Sequence, residues 1–308
     1  MEYQRAKEST AAKTNVPYWS KVAASLRIGS VGRHTLTPRL LRGAGIYMGH
    51  QRLGTLPRSK LWRDVVELID HRADVEEVAA ATSLAAEQSM IDASQDAAVQ
   101  HAFYLIAKIP LAAREHEFEA ALSALGIPIR KGPLLTDIVS GLMEAIDART
   151  RQIGGRSDYG EIAQLSAAEA LYAVIGRETR DLFGVDAAIT QSAIAGFATV
   201  KQFAVLARDF FARLTRRHID YYLSRELSKH VGPGRRFPSV REHRLFEDAL
   251  DLHCREATRV IKEYSGEWLS KHNYEGGIDP AKAGRFVSYA AQKIRGELRH
   301  RRNARVIA

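Results

Sequence analysis

The chain has 308 residues, 45% hydrophobic and 26% charged, with a net charge of +9; this is the composition of a folded globular protein with room for a substantial core. Its single cysteine, Cys254, excludes an internal disulfide framework and fits a reducing compartment. No apolar run is long enough to span a bilayer, and no signal-peptide core follows Glu2 and Arg5, so the expectation is a cytoplasmic protein without a membrane partner.

The charges are segregated. Residues 1–63 hold 12 Lys and Arg against 2 Asp and Glu, residues 64–200 hold 10 against 21, and residues 201–308 hold 23 against 13. Two basic stretches therefore flank an acidic middle, a pattern suited to phosphate backbones, anionic surfaces or acidic protein partners.

The first sixteen residues are polar and predict disorder. From Pro17 to Pro57, glycines and prolines alternate with short apolar pieces, which predicts a loop-rich arm and excludes one amphipathic transit helix. Gly43, Gly45 and Gly49 faintly echo a dinucleotide loop, but no strand–helix alternation surrounds them. Ser59 is a plausible N-cap for a helix carrying Leu61, Val65, Leu68 and Ile69. Residues 75–108 are Ala-rich with larger apolar residues at intervals, and Pro110 interrupts them. A helix from about Ala112 to Leu125 ends at Gly126, followed by a loop from Ile127 to Pro133. A further helix is predicted over Leu134–Ile146, then a Gly154-Gly155 turn. Ser166 and Glu169 read as a capping box for a helix reaching Phe183.

The longest predicted helix runs from Ile194 to His230, with Phe203, Ala207, Phe210, Leu214 and His218 on one stripe, and Gly232-Pro233-Gly234 ends it. Ser239 and Glu242 form a second capping box, opening a helix with Phe246, Leu250, His253, Ala257, Val260, Tyr264 and Trp268 on its buried face. Asp279 and Pro280 start the last helix, with Ala283, Phe286, Val287, Ala290, Ile294 and Leu298 inward. No period-two strand and no repeat is found. The fold class is all-α: a multi-helix bundle with a long central helix and a basic arm. The organisation is 1–58 arm, 59–193 acidic helical domain, and 194–308 basic helical domain.

The last helix ends in Lys293, Arg295, Arg299, Arg301, Arg302 and Arg305 with Glu297 as the acid among them. Two readings fit: phosphate binding by clustered guanidiniums, or cations complementing the helix dipole. Arg33, Arg39, Arg42 and Arg52 in the arm, interleaved with glycines, favour the first. Arg235 and Arg236, next to Gly234 and Phe237, form a compact loop cluster and a candidate anion site. Arg208, Arg213, Arg216 and Arg217 read instead as a solvated or inter-helix salt-bridged face, with Asp209 and Asp220 in reach. His253 and Glu256 share a helix face, but no HExxH, paired cysteines or acidic cluster completes a metal set; His253 and Cys254 read as core residues. No phosphate loop of the GxxxxGK[ST] type is present. No catalytic residue, metal or cofactor is assigned.

The middle of the chain carries a layout of its own. Ala120–Ile127 (AALSALGI) precedes Leu134–Ile146 (LLTDIVSGLMEAI), then Gly154-Gly155-Arg156-Ser157-Asp158, and then the helix around Glu169. This order resembles helical accessory proteins of bacterial anti-phage defence operons, in particular the B component of Qat-type systems. The resemblance implies a non-catalytic component working with other proteins of its operon, an ATPase among them. The chain begins Met1-Glu2-Tyr3 where that group begins Met-Gly, and no functional residue carries over. A stand-alone DNA- or RNA-binding protein is the alternative reading.

Overall fold

The structure is a computed structural model that describes residues 55–155, 157–178 and 186–306, with side chains described as far as Arg299. Twelve helices lie among the described residues: α1 Lys60–Asp70, α2 Val75–Ala85, α3 Glu87–Gln95, α4 Ala97–Ala112, α5 Phe118–Ala124, α6 Leu135–Gln152, α7 Asp158–Glu178, α8 Ala187–Gly196, α9 Val200–Lys229, α10 Val240–Ala257, α11 Arg259–Tyr274 and α12 Pro280–Val306. The described residues contain no strand, and an isolated bridge pairs Val231 with Phe237 in the loop between α9 and α10. The all-α expectation therefore holds among the described residues.

Helix α9 is the spine. Its 30 residues extend about 45 Å and feed two cores in succession. Phe203, Phe210 and Phe211 join Phe103 of α4, Trp268 of α11 and Phe286 of α12, with the Phe103 and Phe286 rings stacked at 5.0 Å. Further along, Ile219, Tyr222, Leu223 and Leu227 pack on Trp62, Val65 and Ile69 of α1 and on Phe246 and Leu250 of α10. Because α4 and α9 share the first core, a boundary between 193 and 194 does not separate two independent cores.

Short-range signals account for many helix ends. Gly126 stands at φ +77° with Ile127 N bonded to Leu122 O at 3.1 Å and Gly126 N to Ser123 O at 2.9 Å, a Schellman closure of α5. Asp279 accepts from Lys282 N at 2.7 Å to open α12 and Ser59 accepts from Trp62 N to open α1; Ser239 holds the N-cap position of α10, but its hydroxyl donates to the Glu242 carboxylate instead of accepting from a backbone N–H, so the expected capping box does not form.

Three further expectations are corrected. Ser166 does not begin a helix: it is buried inside α7, where its hydroxyl donates to Ile162 O at 2.7 Å. The α7 start lies at Ser157, whose Oγ accepts from Gly160 N at 2.9 Å and donates to Asp96 Oδ2 at 2.7 Å. Asp96 in turn caps α4 through Ala98 N and Val99 N, so two helix N-termini are tied together through their caps. The long helix does not start at Ile194; α8 ends at Gly196 and α9 starts after Thr199, which has extended backbone (φ −91°, ψ 152°) and donates to Gly196 O. Finally, Pro110 does not interrupt α4, which continues through it to Ala112, and the next helix begins only at Phe118.

Candidate functional site

Arg33, Arg39, Arg42 and Arg52 lie outside the described residues. Arg301, Arg302 and Arg305 lie on α12 beyond the last described side chain. Four of the candidate arginines can be placed in full, and the chain itself engages all four.

Arg236 is not an open anion site. Its guanidinium donates to the carbonyls of Leu68 at 3.2 Å, Ile69 at 2.9 Å and Ala73. It also lies over the rings of Phe237 at 5.2 Å and Phe246 at 4.8 Å. The Leu68 and Ile69 carbonyls are in the last turn of α1, the negative pole of its dipole, and Ala73 lies just beyond it. Burial and the nearby Arg72 lower the pKa of Arg236, the cost of bringing cations together here. Arg235 is exposed and its guanidinium donates to Lys229 O, while Arg72 donates to Arg235 O at 3.2 Å. The loop between α9 and α10 thus serves as a clamp on α1.

Arg72 escaped the sequence reading. It occupies the left-handed C′ position of α1 at φ +57°, with Ala73 N on Leu68 O at 2.9 Å and Arg72 N on Ile69 O at 3.2 Å. Glycine or asparagine is the usual occupant, and a long side chain there costs on the order of 1 kcal/mol. The absence of glycine hid this helix end from the sequence.

Arg295 and Arg299 both reach Glu87 at the start of α3. One turn apart on α12, they grip a single carboxylate, which fastens α12 to α3. Burial lowers the pKa of Arg295, with Arg299 adding to it. Their role as open phosphate ligands is therefore corrected: in the folded chain each guanidinium is paired with one of its own carboxylates.

The arginines of α9 form the inter-helix salt-bridged face that their spacing suggested. Glu169 of α7 pairs with Arg213 at 3.0 Å and with Arg217. Arg213 pairs with Asp209 at 2.6 Å, Asp209 with Arg255 of α10 at 3.1 Å, and Arg255 with Asp251 at 2.7 Å. Arg208 donates to Arg255 O at 2.9 Å, and Arg216 pairs with Asp220.

The histidine and cysteine candidates fall apart as a site. His253 and Cys254 are buried in the helix interior, and burial pushes the Cys254 thiol up to about 12, so no thiolate forms near neutral pH. Glu256 lies between Arg208 and Arg259. Among the described residues, no group of three His, Cys, Asp or Glu side chains could hold a metal.

His218 is the more instructive histidine. Its Nε2 lies 3.3 Å from Ser89 Oγ, which also contacts Tyr159 Oη at 2.9 Å and accepts from Tyr222 Oη at 2.5 Å. Burial lowers its pKa to about 4, so the imidazole is neutral. It lines a cavity of about 40 Å³, walled chiefly by Met90, Val99, Phe211, Val287 and Ile294, with Ser94, Tyr159 and Thr215 as further polar members. That volume suits a few water molecules at most, far below what a metabolite needs.

What faces outward near the basic end is an aromatic and cationic strip. Tyr264 of α11 and Tyr289 of α12 are 40% and 37% exposed, edge to face at 5.7 Å. Lys293 Nζ lies 6.0 Å from the first ring centroid and 5.4 Å from the second. Arg285, one turn before Tyr289, is exposed. Helical spacing predicts Tyr264 on the buried face of one continuous helix; that helix breaks at Thr258 into α10 and α11, and the packing of α11 on α12 leaves Tyr264 outward beside Tyr289. Residues 275–279 connect α11 to α12, with Gly276 and Gly277 at positive φ; Asn273 and Tyr274, expected in this loop, are the last residues of α11, and Tyr274 is exposed.

No helix among the described residues is long and apolar enough to cross a membrane. No family model, curated protein or solved structure matches the chain.

Proposed function

We propose that this chain is a non-catalytic helical component of a multi-protein bacterial antiviral defence system, docking on partner subunits. The single observation behind this reading is how its arginines are spent. Arg213, Arg217, Arg236, Arg255, Arg295 and Arg299 act as internal struts between helices. Exposed cations on the described surface, Arg241 and Arg285 among them, remain to meet a partner, and the layout of the acidic middle supplies the link to defence accessory proteins. The test is isolation of the complex from cells expressing the whole operon. Partner subunits should be retained by the full chain and lost when residues 1–54 are removed. A chain that emerges alone from its native operon, or deletion of the operon without effect on phage resistance, would overturn the reading.

A second reading, binding to single-stranded nucleic acid, is favoured by the Tyr264–Tyr289–Lys293 strip. Rings beside cations offer stacking surfaces and phosphate contacts without sequence readout. It predicts oligonucleotide affinity that falls steeply with salt and drops about tenfold or more in Tyr264→Ala/Tyr289→Ala, since each stacked base contributes roughly 1–3 kcal/mol. Salt-independent binding, or an unchanged affinity in that double variant, would refute it.

A further inference from the structure

The outer face of α10 carries two leucines that ordinary amphipathicity would place inside. Leu245 is 58% exposed and Leu252 61%, and they are seven residues apart on the side opposite buried Phe246, Leu250 and His253. Ala249 between them is also exposed, as are Arg241 and Asp248 along the same strip. We propose that two copies of this chain associate through α10, packed antiparallel about a two-fold axis centred between Asp248 and Ala249.

The occupant follows from the order of side chains along the helix. In an antiparallel pair with that centre, Leu245 of each copy meets Leu252 of the other. Arg241 then faces Glu256. This flanking pair is of opposite sign and occurs twice, because a two-fold contact repeats itself. A parallel pairing sets Arg241 against Arg241 and Asp248 against Asp248, which is repulsive at both places. The strip is thus self-complementary in one orientation only. Glu256 already lies between Arg208 of α9 and Arg259 of α11, so across the axis Arg241 joins an existing charge cluster. One helix face with two leucines gives an interface at the small end of specific contacts, and the association is weak, with a dissociation constant on the order of 10 µM or higher.

Sedimentation velocity of the full chain across a concentration series tests this. The expected result is a monomer–dimer equilibrium that Leu245→Asp/Leu252→Asp weakens by at least about tenfold while the circular dichroism melt stays unchanged, since both sites are exposed. Orientation is read by cysteine variants. A mixture of Leu245→Cys and Leu252→Cys chains should form a disulfide-linked dimer under mild oxidation, and either variant alone should give far less. A wild-type chain that remains monomeric at all concentrations would overturn the proposal. So would a dimer that survives the double aspartate variant, or Leu245→Cys crosslinking to itself as readily as to Leu252→Cys.

Discussion

Replacing Arg236 separates two accounts of the same residue. If its guanidinium clamps α1, Arg236→Ala is a stability mutation and leaves anion binding alone. Leu68 O and Ile69 O retain backbone donors in Ala73 N and Arg72 N, so their loss of a second donor costs a few tenths of a kcal/mol each. Ala73 O loses a charge-assisted bond, worth about 1–2 kcal/mol. Losing contact with the Phe237 and Phe246 rings adds roughly 0.5–1 kcal/mol. Together the variant should lose about 2–4 kcal/mol. For a body of this size the melting temperature should fall by roughly 5–12 °C. Arg236→Lys keeps the charge but not the fork, and should lose about half as much. Urea unfolding of the three proteins measures this directly. If Arg236→Ala unfolds like wild type while oligonucleotide affinity falls, the guanidinium serves an outside anion and the clamp is wrong.

The remaining predictions probe other struts. Glu87→Gln should release Arg295 and Arg299, costing about 1 kcal/mol of stability while steepening the salt dependence of any polyanion binding by up to about two charges; an unchanged slope would mean the pair stays occupied. His218 is neutral in the fold because burial holds its pKa at about 4, below the ordinary 6.5. The unfolded chain takes up the proton first as pH falls, so this contribution is complete above pH 6.5 and shrinks toward pH 4. Between about pH 7 and pH 5 the loss should be roughly 2 kcal/mol, and His218→Gln should flatten that part of the stability profile; equal pH dependence in both proteins would count against it. Gly266→Ala places a methyl 2.1 Å from Val200 O, whereas at Gly296 nothing lies within 4 Å. The first should cost at least about 2 kcal/mol and the second should gain about 0.5–1 kcal/mol, as read from denaturation midpoints.

What was legible beforehand divides by range. Gly126, Ser59 and the Asp279-Pro280 pair act on neighbours three or four residues away, so their roles could be read from spacing; Ser239 stands at a helix start as its spacing predicts, but not as a capping box. Ser166 failed because its motif is local while its burial is not: α7 runs through it, and the true cap, Ser157, lacks an acid three residues on. Thr199 was invisible for the opposite reason, since the apolar stripe continues across the break. The arginines show the limit most clearly. Composition reveals a surplus of guanidiniums, but Arg236 finds its carbonyls 168 and 167 positions away, and Glu87 collects its partners from the other end of the described chain. Charge counts carry no information about such pairings.

The chain of ion pairs from Glu169 through Arg213, Asp209 and Arg255 to Asp251 has a consequence beyond cohesion. Apolar side chains tolerate sliding, because one methyl substitutes for another. Alternating charges do not: moving α9 by one helical turn, about 5.4 Å, past α7 or α10 would strand a half-buried ion at every rung. The ladder therefore acts as a vernier, selecting one axial setting of three helices from several that greasy packing alone would accept.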